Sequence, residues 1–408
     1  MNFIKGNGIR LYTEQGEEYV DAVSGTFNLS LGYDHPELVH ALKKQLDAFV
    51  HVSSSFTSGI VKTTLDALIK YAPSHISNGW LRDITGSTAN EGAVKIANKY
   101  NGKTEVISLY LAHHGQTLYT TTISGNAFRK AGFPNTLNSQ KMSVPAPYCY
   151  RCPLKQKYPG CGFACIETIH DQINYASSHN VSALIMEPIL GNGGNIVPPD
   201  GYFIQLRKLC DEYKIVLIAD EVQTGIGRTG YMFASDYFNM MPDIITLAKG
   251  LGGIGIPAAA ILYRKELEVL ESHEHSFTSG GNMLSLVASQ KTLEIIGKPA
   301  FLETIRTNGK LLGKLLNALK EKYSFIGDVR GMGYMWGLEI VDRNNNPDIE
   351  LTNFLIAEAL DKYKLILRGS RYKLGNVIKV RPSLIASQED LQKICESLDL
   401  LFKTIKPL

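Results

Sequence analysis

The 408-residue chain has no apolar run near the roughly 18 residues that a membrane-crossing helix requires. It also lacks low-complexity tracts and any repeat with a period of about 20–50 residues, which argues against a repeat protein. Its opening, Met1-Asn2-Phe3-Ile4-Lys5-Gly6, has no signal-peptide core, so a cytoplasmic location is expected. Neither sign of charge dominates: 42 Lys and Arg against 39 Asp and Glu leave +3. That excess is too small to suggest nucleic acid or an anionic membrane as partner. Cysteine is scarce, with six residues, and in a reducing compartment most should be thiols. The rest is ordinary globular composition, 44% hydrophobic and 20% charged, on a chain too long for one compact core. Two domains are expected, with the boundaries 1–50, 51–298 and 299–408. The first and last segments would together form the smaller domain.

Strand-like and helix-like runs alternate along most of the sequence. Residues 8–23 read as a hairpin around Gln15-Gly16. Pro36 opens a helical pattern to residue 49. Further helices are expected at 60–72, 88–99, 166–179, 203–213, 284–297, 299–323, 352–363 and 388–404. Strands are expected at 105–110, 182–187, 215–220, 244–248, 258–263 and 334–340. This order predicts an α/β fold with a mostly parallel sheet covered on both faces, plus a smaller α/β domain.

Two strands end unusually. Val216-Leu217-Ile218-Ala219 runs into Asp220, and Ile244-Ile245-Thr246-Leu247-Ala248 runs into Lys249. Continuous apolar runs mark buried parallel strands, and open α/β sheets bind ligands at the strands' carboxyl ends. A carboxylate and an amine delivered there suit a cofactor with a ring cation and an aldehyde, as in pyridoxal phosphate. Lys249 would be the amine that bonds the aldehyde, its pKa lowered by burial. Asp220 would hold the ring nitrogen protonated, and Gln223 could donate to the ring's phenolic oxygen. Gly86, Ser87 and Thr88 precede a helical run and could cradle a phosphate on backbone N–H groups. The two G-x-G-x-x-G matches, Gly225–Gly230 and Gly250–Gly255, lack the strand–turn–helix context and trailing acid of a dinucleotide site.

With these residues in view, the chain resembles the class III (ornithine/GABA-type, omega) aminotransferases. The resemblance rests on Gly32-Tyr33-Asp34-His35-Pro36-Glu37, Gly86-Ser87-Thr88-Ala89-Asn90-Glu91 and His114-Gly115-Gln116-Thr117. It continues in Glu187-Pro188-Ile189-Leu190-Gly191, Asp220-Glu221-Val222-Gln223-Thr224-Gly225, Ala248-Lys249-Gly250 and Phe277-Thr278-Ser279-Gly280-Gly281-Asn282. It implies a fold type I pyridoxal-phosphate enzyme with a mostly parallel seven-stranded sheet in its large domain. In that family's terms Lys249 forms the cofactor bond and shuttles protons, Asp220 binds the pyridinium and Gln223 binds the ring oxygen. Gly86, Ser87 and Thr88 bind phosphate, with His113 and Gly115 beside the ring. Thr278 would reach the phosphate of a partner subunit, which implies a homodimer. Glu187, Thr26 and Phe27 would line the substrate pocket.

The departures concern substrate and chemistry. His113 stands where many relatives carry an aromatic ring, and Thr88 replaces the Glu of Ser-Glu-Ala. Lys379 falls where many relatives grip a substrate carboxylate with arginine, and a lysine cannot make that two-pronged contact. Arg381, two residues on, would share its strand face. The expected activity is amino-group transfer from an amine or amino acid to a keto acid or aldehyde. A racemase, decarboxylase or amino-lyase on the same cofactor is the alternative, and a non-catalytic metal-binding module a more distant one. Finally, Cys149, Cys152, Cys161 and Cys165 fall within 17 residues and could hold a structural zinc, or simply pack in a loop.

Overall fold

The computed structural model describes residues 1–53, 56, 58–133, 141–370 and 375–405. Three sheets organise the described residues. The N-terminus forms β1 (Phe3–Asn7), β2 (Arg10–Thr13) and β3 (Glu18–Asp21), an antiparallel meander. The expected hairpin is present, with β1 added to its edge.

The central sheet contains β4 (Asn78–Asp83), β5 (Glu105–Leu109), β6 (Lys141–Val144), β7 (Val181–Met186), β8 (Val216–Asp220), β9 (Ile244–Leu247) and β10 (Ala259–Tyr263). Their order is β4-β10-β9-β8-β7-β5-β6. Only β10 runs against its neighbours, so the sheet is mostly parallel, as expected. Every residue of β7, β8, β9 and β10 is buried, which explains their unbroken apolar sequences. The edge strands β4 and β6 escaped the sequence reading. Both are only partly buried, and Asn78-Gly79-Trp80-Leu81-Arg82-Asp83 shows neither an apolar run nor clean alternation.

The third sheet has the order β11 (Ile326–Met332), β12 (Met335–Ile340), β15 (Val377–Val380) and β14 (Arg368–Gly369). Between them in sequence, β13 (Leu365–Ile366) pairs in parallel with β3 and ties the two ends of the chain together. The helices lie close to their expected bounds, for example Pro36–Ala48, Met283–Ile296, Pro299–Lys322 and Gln388–Lys403. One differs: the run expected at 166–179 is α-helical over Ala164–Asp171 and then widens through Gln172–Ala176. No helix of the described residues is long and apolar enough to cross a membrane.

Candidate active site

Five parallel strands of the central sheet, β4, β5, β7, β8 and β9, lead into one cleft of about 350 Å³. Thr26, Phe27, His113 and Gln223 line it, as do Gly86, Ser87, Gly115, Asp220 and Lys249. Asp220 is the last residue of β8 and pairs across the ladder with Thr246. Lys249, three residues past Thr246, therefore emerges beside it. The strand stops there because Lys249 adopts φ 46° and opens a short turn. That left-handed conformation costs a lysine roughly 1–2 kcal/mol.

Asp220 is surrounded by donors. Asn90 Nδ2 and His114 Nδ1 both reach its Oδ2 at 2.8 Å, and the Val222 N–H reaches Oδ1 at 3.1 Å. Burial raises the Asp220 pKa, but the His114 contact and the charge of Lys249 outweigh it and hold the carboxyl below its usual range. An ionised carboxylate only accepts, so His114 Nδ1 carries the proton. Asn90 is itself oriented: its amide donates to the His114 carbonyl at 2.7 Å, and its oxygen accepts from Thr246 Oγ1 at 2.6 Å. Sequence reasoning gave Asn90, His114 and Thr246 no role. The available signal was a polar Asn90 on the apolar face that carries Ala89 and Ala93.

Burial pushes Lys249 down to about 8, against the opposing charges of Asp220 and Glu187. Burial and the nearby Lys249 push His113 down to about 3, so its imidazole is neutral. Glu187 lies just past β7, behind the cleft wall, and accepts from the His113 N–H at 2.9 Å and the Gly191 N–H at 2.8 Å. Burial and the Asp220 charge raise its pKa.

The helix Gly86–Asn101 points its N-terminus at the cleft. Thr85 caps it by accepting from the Thr88 N–H at 3.2 Å. Thr88 is thereby used inside the helix end, while Gly86 and Ser87 line the cleft. The first N–H groups of a helix have no partner within it and favour anions. Two glycines keep this corner open. A Cβ on Gly86 would sit 2.8 Å from Val222 Cγ1, and one on Gly115 (φ 145°) 2.3 Å from Thr120 Oγ1.

Other expected residues lie elsewhere. Thr278 lines a separate cavity with His51, Arg82 and Met283. Lys379 and Arg381 are buried behind Phe27, with Lys379 Nζ 5.7 Å and Arg381 Cζ 4.2 Å from its ring centroid. Burial and the Arg381 charge hold Lys379 well below a normal lysine.

The cysteine expectation needs correction. Among the described residues, no three His, Cys, Asp or Glu side chains are placed to hold a metal ion. Cys149, Cys152, Cys161 and Cys165 are unpaired thiols around a small, largely apolar cavity. Burial raises Cys149 and pushes Cys165 up to about 12. A buried carboxylate holds the loop instead: Tyr148 Oη and Arg151 Nε both donate to Glu339 on β12.

Residues 1–402 match the family model for aminotransferase class III. The chain belongs to the class III aminotransferases. Similar curated proteins include an acetylornithine aminotransferase of Caldanaerobacter subterraneus, 32% identical over 99% of this chain and 95% of that protein. A leucine/methionine racemase of Thermococcus litoralis is also 32% identical, over 98% of this chain and 90% of its own. Among solved structures, an amine transaminase from an uncultivated Pseudomonas species, in its PLP-bound form, superposes with TM-score 0.90 at 27% identity. That match covers 99% of this chain and 95% of the other. Pyridoxal phosphate is thus the cofactor of this class III aminotransferase, and its cleft suits that molecule. The donor-ringed Asp220 matches a ring cation, the lowered Lys249 an aldehyde, and the glycine-lined helix N-terminus a phosphate.

Proposed function

We propose that this chain moves an amino group from an amine or amino acid to a keto acid or aldehyde in two half-reactions. The observation that carries this reading is the convergence of a buried, donor-ringed Asp220 and a low-pKa Lys249 in one cleft. Bound there, pyridoxal phosphate would supply an electron sink for the bond broken at the substrate's α-carbon. Lys249 would bond the aldehyde and, once displaced by substrate, would carry the proton from that carbon to the cofactor's C4′ carbon. A lysine with pKa about 8 is suited to both directions near neutral pH. Asp220 would stay ionised against the ring nitrogen, because His114, Asn90 and the Val222 N–H compensate its burial. Gln223 would donate to the ring oxygen, and Gly86 and Ser87 would hold the phosphate from the helix N-terminus. His113 and Gly115 would flank the ring, while Thr26 and Phe27 would shape the substrate side. Lys379 modulates the pocket from behind Phe27, and Glu187 does so through the His113 and Gly191 N–H groups.

Thr278 lies outside its own chain's cleft, which supports a homodimer in which each subunit's Thr278 serves the other's phosphate. The division into 1–50 with 299–408 and a large domain at 51–298, and a cytoplasmic location, complete this reading. Racemisation is the second reading, favoured by the leucine/methionine racemase among the similar proteins and by Lys379 in place of an arginine. Both reactions use Lys249 on the same proton. Incubating cofactor-loaded protein with single amino acids and no acceptor separates them. Transamination releases up to one carbonyl product per site and stops, whereas racemisation yields the mirror-image amino acid and no carbonyl product.

A further inference from the structure

Arg381 is only 1% exposed and is among the largest fully buried side chains. A buried guanidinium is tolerated only when its donors are satisfied. Here Nη1 donates to Gln223 Oε1 at 2.5 Å, while Nη2 donates to the Gly191 carbonyl at 2.8 Å and to Asn195 Oδ1. The Phe27 ring covers the guanidinium plane, 4.2 Å from Cζ, a cation–π contact. Its backbone is pinned as well: the Arg381 N–H donates to the Ala22 carbonyl at 2.7 Å, and its own carbonyl accepts from Ser24 Oγ at 3.0 Å. A side chain held on all these sides has little freedom to swing toward a substrate.

The contact with Gln223 has a directional consequence. Arginine has only donors, so the amide atom facing it must be the oxygen. A flipped amide would set N–H against N–H. Gly191 closes the remaining space, since a Cβ there would lie 2.3 Å from Gln223 Oε1 and 3.1 Å from Arg381 Nη2. Gln223, which lines the cleft, is thereby left with its NH₂ as the group available to the cofactor.

We propose that Arg381 is a positioning residue: its guanidinium locks the Gln223 amide so that Gln223 offers the cofactor's phenolic oxygen a donor and never an acceptor. This rests on the reading of Gln223 given above and removes Arg381 from the substrate-binding set. A donor at that oxygen favours its deprotonated form, so it lowers the pH at which the Lys249-bound chromophore titrates.

The test is a pH titration of the visible absorbance of cofactor-loaded wild type, Arg381→Met, Arg381→Lys, Gln223→Leu and the Arg381→Met/Gln223→Leu double variant. Loss of one charge-assisted hydrogen bond is expected to raise the midpoint by about one pH unit. Arg381→Met should raise it, Gln223→Leu should raise it equally, and the double variant should go no further. Arg381→Lys keeps the charge but loses the fork, so it should also shift upward. It remains informative if the Met variant does not fold. The proposal is overturned if the Arg381→Met shift persists at full size in the Gln223→Leu background, which would be a direct charge effect. It is also overturned if the Arg381 variants lose thermal stability while the midpoint stays put. If Gln223→Leu leaves the midpoint unchanged, Gln223 does not contact the ring oxygen, and the underlying reading fails separately.

Discussion

Burial carries the Lys249 ammonium from an ordinary 10.5 to about 8. A shift of that size corresponds to roughly 3 kcal/mol of differential stabilisation of the neutral amine. At pH 7 about one molecule in ten would then hold a neutral Lys249, against about one in three thousand for an unperturbed lysine. Only the neutral amine attacks an aldehyde, so the rate at which apoprotein captures pyridoxal phosphate should rise with pH and level off above about 8. Stopped-flow growth of the cofactor band near about 410–430 nm measures this. Capture by a free amine of normal pKa serves as the reference. The charges of Asp220 and Glu187 both hold the Lys249 pKa up, so Glu187→Gln should move the midpoint downward. Stability carries the same signature with a definite sign. Between pH 8 and 10.5 the unfolded chain binds a proton that the folded chain does not, so stability rises with pH across that window. The Lys249 penalty is fully present below pH 8. A capture midpoint near 10, or an upward move in Glu187→Gln, would refute the reasoning.

Further tests address other parts of the molecule. Gly115→Ala places a methyl 2.3 Å from Thr120 Oγ1 and 2.5 Å from Ser87 Oγ, so equilibrium dialysis should show cofactor binding weakened at least about tenfold. Glu339→Gln leaves the donors Tyr148, Arg151 and Arg330 facing a neutral amide, and chemical denaturation should show a loss of roughly 3 kcal/mol. Burial raises the Glu339 pKa, but Arg330 and its donors pull it below the ordinary value. Its contribution is therefore present above about pH 4 and lost as pH falls through the folded pKa, and the variant's stability should depend less on pH in that acid range. Chelators should leave the melting temperature unchanged, and purified protein should carry no stoichiometric zinc at Cys149, Cys152, Cys161 and Cys165.

The pair Asp220 and Lys249 was legible because each charged residue ends an apolar run, and the two together, at strand carboxyl ends, point to one ligand. The α/β alternation was legible for the same reason: fully buried strands leave continuous apolar sequence. The edge strands β4 and β6 left no such trace. The network that makes Asp220 usable was not legible, since Asn90 and Thr246 meet across 156 positions and their identities alone imply no contact. Arg381 shows the limit of strand alternation. β15 ends at Val380, and the Arg381 N–H turns to Ala22, so its side chain answers to Gln223 and Asn195 as well as to the Phe27 face it shares with Lys379. Cysteine spacing allowed either a metal or plain loop packing, because spacing does not say whether four sulfurs converge, and here a carboxylate secures the loop.

The most direct test of the central claim is the absorbance spectrum of the cofactor-loaded protein before and after single amino donors. A band near about 410–430 nm that bleaches toward about 330 nm with a productive donor, and returns when a keto acid or aldehyde is added, is the expected result. A band that no donor bleaches, alongside racemised substrate, would contradict amino-group transfer. A protein that never acquires the band would contradict the site itself.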